Sequence, residues 1–102
     1  MTNAMTFAEF EQSLKSKAPP PGLAAAVAAL LWAKQGDWDQ AHTIVMKADG
    51  RDAAWVHAYL HRVEGDVGNA AYWYRQAKKP AASGALDAEW QAIVTVLLGD
   101  DG

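Results

Sequence analysis

The longest apolar run of the chain, Leu23 to Ala33, is built mainly of alanine and leucine, and its small apolar positions return further along. Aligning Ala26 to Asp49 with Trp55 to Lys78 pairs Val27 with Val56, Ala29 with Ala58 and Leu31 with Leu60, at an offset of 29 residues. The breaks between apolar segments repeat as well. Gly36-Asp37 is followed by Ala41 and Ala48, and Gly65-Asp66 by Ala70 and Ala77. Glycine ends a helix cheaply in the left-handed conformation, and an aspartate directly after it can cap the next helix. Each Gly-Asp pair therefore predicts a tight turn between two helices. A repeat of this length with helices on both sides of a turn predicts stacked helical hairpins.

The remaining punctuation completes an all-α reading with about six helices and no strand. Thr6 and Glu9 have capping-box spacing for a short first helix, about Phe7 to Lys15. Pro19-Pro20-Pro21-Gly22 stops it, and a second helix follows over about Leu23 to Gln35. The third helix runs from the Asp37 cap to about Ala48. After the break at Asp49-Gly50-Arg51, Asp52 is the expected cap of a fourth helix that continues through Glu64. The fifth helix follows Asp66 and reaches about Lys78, where Pro80 forbids continuation. Asp87 is the expected cap of a last helix to about Leu98, and the final Gly99 to Gly102 should fray. One domain results: an N-terminal helix and Pro-rich linker over 1–22, two hairpins over 23–80, and a C-terminal helix and tail over 81–102.

With Gly at each turn, Ala five and twelve positions later, and Pro80 closing the second copy, residues 23–80 resemble tetratricopeptide repeats. The period is 29 where that family has about 34. The aromatic expected four residues before the turn glycine is Trp32 in the first copy and His61 in the second. The stretch from His57 through His61-Arg62 and Glu64-Gly65-Asp66 to Tyr72-Trp73-Tyr74-Arg75 also resembles a signature of short bacterial proteins, one that brings no activity with it. The broader resemblance implies a helical scaffold, two antiparallel hairpins flanked by covering helices, that binds peptides or partner proteins.

Composition narrows the function. The chain has 102 residues, 51% of them hydrophobic and five of them Trp, so one sizeable core is expected. A net charge of −3 with scattered cations argues against a surface that tracks nucleic-acid phosphates. The eleven apolar residues from Leu23 to Ala33 fall well short of the roughly 20 that a spanning helix needs. No membrane segment or secretion signal is expected, and the cytoplasm is the default compartment. Without cysteine, any metal site would use imidazole and carboxylate, with zinc or nickel the candidate ion.

Two constellations share the fourth helix. His57, His61 and Glu64, spaced by four and three, fall on one stripe that His42 of the preceding helix can join. Such a set can chelate one ion, or the histidines can be neutral core residues hydrogen-bonded to Glu64, Asn69 or a carbonyl. Ala58 stands where the zinc-protease pattern requires its catalytic Glu, and neither Ser13 nor Ser83 has a base nearby in sequence, so no complete catalytic set emerges. Trp55, Tyr59 and Arg62 form the second stripe, which is either a partner site or a face covered by the first and last helices. Tyr72, Trp73 and Tyr74 are consecutive and point in three directions. Tyr74 is expected on the hairpin-packing face with Val67, Ala70 and Ala77. Trp73 or Tyr72 is then expected to meet the last helix, through Trp90 for example, or another chain. The resulting expectation is a self-associating interaction or scaffold module without a cofactor. The alternative is a metal- or small-ligand-binding protein, enzymatic in one form, using His42, His57, His61 and Glu64.

Overall fold

A computed structural model describes residues 24–98, and these are helical without a strand. Five helices follow in order: α1 (Ala25–Lys34), α2 (Trp38–Lys47), α3 (Arg51–Val63), α4 (Val67–Ala77) and α5 (Leu86–Leu98). The helix expected over Phe7 to Lys15, its proline linker and the tail from Gly99 lie outside the described residues. Each helix packs on its successor through α4, α1 also meets α3, and α5 lies against α1 and α3.

The two Gly-Asp turns are closed by the same hydrogen bonds. At the first, the N–H of Gly36 donates to Ala33 O (3.0 Å) and that of Asp37 to Trp32 O (3.0 Å). At the second, Gly65 donates to Arg62 O (3.0 Å) and Asp66 to His61 O (2.8 Å). This is a Schellman arrangement, which satisfies two orphan carbonyls and needs a left-handed residue at the glycine. Gly36 and Gly65 supply it at φ 89° and 86°. The aspartate side chains then accept from the N–H of Gln40 (3.0 Å) and Asn69 (3.2 Å), starting α2 and α4. The end of α4 uses the same bonds, Lys78 N–H to Arg75 O and Lys79 N–H to Tyr74 O, but with Lys78 rather than glycine in the left-handed region at φ 59°.

Two expected caps are displaced. Gly50, with φ 102°, is the N-cap of α3, so Asp52 falls in the first turn, where its charge complements the positive end of the helix dipole. Likewise α5 begins at Leu86, and Asp87 lies inside its first turn.

The main core brings Leu30 and Leu31 of α1, Val56 and Leu60 of α3, and Ile93 and Val94 of α5 into full burial. Each of these side chains is worth roughly 1.5–3 kcal/mol relative to exposure. Two indole N–H groups pin helices across this core: Trp38 Nε1 donates to Leu60 O (2.7 Å) and Trp90 Nε1 to Leu30 O (2.9 Å). A second cluster joins Ala58 of α3 to Ala70 and Tyr74 of α4. Alanine at 58 and 70 lets those helices approach closely. Val67, expected on this face, is instead 72% exposed, because it is the first residue of α4 and the packing begins one turn later at Ala70.

α5 is fastened to the α3/α4 pair by a buried carboxylate. Glu89 accepts from Arg62 Nη1 (2.6 Å) and from the Tyr74 hydroxyl, while Arg62 Nη2 donates to Gly84 O (2.7 Å) in the loop before α5. Burial, reinforced by the hydrogen bond to Glu89, pushes the Tyr74 hydroxyl well above its ordinary range. Tyr59 is pushed up to about 12, mainly by burial and further by Asp87 and Glu89. Both phenols therefore stay protonated, and Tyr74 is a donor to Glu89.

Candidate functional site

His42, His57 and His61 converge between α2 and α3. One ring nitrogen from each lies within 4.8 Å of the others. The closest pair is His57 Nε2 and His42 Nε2, 3.0 Å apart. The i, i+4 spacing on α3 stacks His57 on His61, with ring centroids 4.9 Å apart, and α2 brings His42 edge-on to both, at 4.7 and 5.3 Å. His57 and His61 are each only 5% exposed, and His42 is half-buried.

Indole rings close two sides of this group. Trp38, one turn before His42 on α2, stacks on it at 4.5 Å and 15°. Trp73 of α4 stacks on His57 at 4.0 Å and 13°. Of the contacts expected for Trp73 or Tyr72, with the last helix or with another chain, the Trp73–Trp90 example is not the one formed: Trp90 is buried against α1, and Trp73 stacks on an imidazole. The orientation of His61 is set by Glu64, whose carboxylate accepts from His61 Nδ1 at 2.7 Å. Glu64 belongs with His61 and Asp66 to a second potential ligand group and does not enter the three-imidazole set.

Burial holds the His57 pKa down to about 4, with the neighbouring His42 and His61 adding to the effect. His42 is lowered for the same first reason and by His61, against an opposing pull from Glu64 and Asp39. Both imidazoles are thereby favoured as neutral rings with one unprotonated nitrogen each, and in the 3.0 Å contact one Nε2 donates to the other.

Beside His57 and Trp73 opens a cleft of about 500 Å³, bounded by the end of α2, the start of α3 and one side of α4. Val45, Met46, Ala54 and Trp73 give it apolar walls, while Asp49, Arg51 and Gln76 bring polar and charged groups. Met46 is 63% exposed, and Tyr72, set edge-on against Trp73 at 5.0 Å, is 46% exposed.

The Trp55, Tyr59 and Arg62 stripe lies elsewhere. Tyr59 is buried in the main core, Arg62 is occupied by Glu89, and Trp55 is half-buried with the Lys79 ammonium 4.2 Å above its ring. Neither Trp38 nor Glu89 stands out in the sequence as part of either constellation. Trp38 carried a local signal, its i, i+4 spacing to His42, but Glu89 reads from sequence as an ordinary first-turn acidic residue.

Among the described residues no helix is long and apolar enough to cross a membrane. No protein-family model, curated protein or solved structure matches the chain.

Proposed function

We propose that the protein is a small cytoplasmic interaction module of tetratricopeptide-like design that self-associates through the face formed by α2, the start of α3 and α4. The duplicated turn supports the repeat reading: two helix pairs, 29 residues apart, joined by the same bonds and caps. The last helix then serves as the covering helix such a short array needs. The sixth helix expected by this design is the N-terminal one.

The observation that carries the binding reading is the open aromatic cleft. Trp55, Tyr59 and Arg62 are spent within the chain, whereas Met46, Tyr72 and Trp73 leave apolar surface around a cavity with charged ends. Asp49 and Arg51 flank that cavity with opposite charges, so a twofold contact can place each opposite its counterpart on a second copy. Sedimentation equilibrium of the untagged chain tests this reading. It should show a concentration-dependent dimer whose dissociation constant rises about tenfold or more in Met46→Glu, equivalent to roughly 1.4 kcal/mol. A strict monomer, or a dimer indifferent to Met46→Glu and Tyr72→Ala, contradicts it.

A further inference from the structure

We propose that His42, His57 and His61 are a three-imidazole site for a borderline divalent ion of the zinc or nickel class, with Glu64 as the residue that orients His61. Zinc takes imidazole nitrogens at about 2.0–2.1 Å, so two tetrahedral ligands sit about 3.3 Å apart. The His42 and His57 Nε2 atoms, at 3.0 Å, need to part by only a few tenths of an ångström, and the three-nitrogen group already lies within 4.8 Å. Spacings of up to 4.8 Å need to close by at most about 1.5 Å to reach the tetrahedral value.

The surroundings match what such a site needs beyond its ligands. A ligating histidine usually donates its other ring N–H to a carboxylate or carbonyl, which selects the tautomer and aims the lone pair. His61 does this: with Nδ1–H given to Glu64, its free lone pair is on Nε2. Trp38 and Trp73 lie flat on His42 and His57 and restrict their rotation. Three imidazoles without thiolate or carboxylate suit zinc, nickel or copper far better than magnesium or calcium. The cleft against His57 leaves room for a fourth ligand from solvent or from a docked molecule.

This inference is independent of self-association, and its test separates the two. Untagged, chelator-treated protein is titrated with zinc chloride and with nickel chloride by calorimetry, and with cobalt chloride by visible absorption. One equivalent of ion per chain is expected, with a four- or five-coordinate cobalt spectrum. His42→Ala, at the half-buried position, and His57→Ala should each weaken binding at least 100-fold. Glu64→Gln should weaken it about 10- to 100-fold and shift the cobalt spectrum, while circular dichroism of the metal-free protein stays as in the parent. Asp66→Asn, which keeps a capping side chain, should leave affinity unchanged. Absence of a stoichiometric site in folded protein overturns the proposal. So does binding that survives His42→Ala but is lost in Asp66→Asn, which would place the ion on His61, Glu64 and Asp66. A monomer that still takes one ion through the three histidines would refute the dimer and leave the metal site standing.

Discussion

Replacing Gly65 by Ala isolates the contribution of one backbone conformation. A Cβ built at Gly65 meets nothing within 4 Å, so the substitution brings no clash, and its cost comes from holding an L-residue at φ 86°. Left-handed backbone costs an L-residue about 1–2 kcal/mol. Alanine recovers about 0.4–1 kcal/mol of this, because it restricts the unfolded chain more than glycine does. The expected net loss is about 1 kcal/mol, which for a domain of this size lowers Tm by about 4–8 °C. Gly36→Ala, with the same turn bonds and equally open space, should behave alike. Lys78 provides the reciprocal experiment. It occupies the same place in the α4 terminus at φ 59° with an exposed side chain, so Lys78→Gly should raise stability by about 0.5–1 kcal/mol. Urea unfolding followed by circular dichroism, at constant m-value, measures all three. Unchanged stability in Gly65→Ala, or a loss in Lys78→Gly, would refute the turn argument.

Other consequences follow from the interhelical contacts. Arg62→Ala leaves the buried Glu89 carboxylate without a countercharge, with the Tyr74 hydroxyl still donating to it, and should cost about 3 kcal/mol; a double-mutant cycle with Glu89→Gln should show coupling, and additive effects would contradict the pair. Trp38→Phe keeps a ring against His42 but removes the donor to Leu60 O, with an expected loss of about 1 kcal/mol in urea unfolding; no change would remove that bond from the account. The metal-free protein should be acid-sensitive. His57, buried beside His42 of α2 and His61 of its own helix, has its folded pKa lowered from 6.5 to about 4, by burial first and by those two neighbours second. Between those values the unfolded chain holds more protons on His57, so its contribution to stability is complete above pH 6.5 and disappears as pH falls towards 4. The change amounts to at most about 3 kcal/mol. Urea midpoints measured in chelator across that range check it, and a flat profile in wild type that matches His57→Asn contradicts it.

The parts of this structure that were legible in the sequence are the local ones. Gly36-Asp37 and Gly65-Asp66 carry their turn geometry within a few residues, so helix ends and the stripe of His57, His61 and Glu64 could be read directly. Asp52 was misplaced as a cap because Gly50, two residues earlier, already turns the chain by its positive φ. Long-range placement was less accessible. The stacking of Trp73 on His57 depends on how α4 seats on α3, and the place of α5 depends on Arg62, Tyr74 and Glu89, three residues on three helices. The arrival of His42 at the α3 histidines was open to inference only as a consequence of α2 packing on α3. Its stacking partner Trp38 was visible by spacing alone but had no reason to be chosen until the cluster was seen.

The central claim is that α2 and α3 hold three imidazoles against one another in a fixed arrangement. Imidazole ¹⁵N spectroscopy of the metal-free chain from pH 4 to 8 reports this most directly. The account predicts His61 with its proton on Nδ1 at pH 8, and His57 remaining neutral well below pH 6.5. His42 and His57 each titrating unshifted at 6.5, with His61 bearing its neutral proton on Nε2, would contradict it.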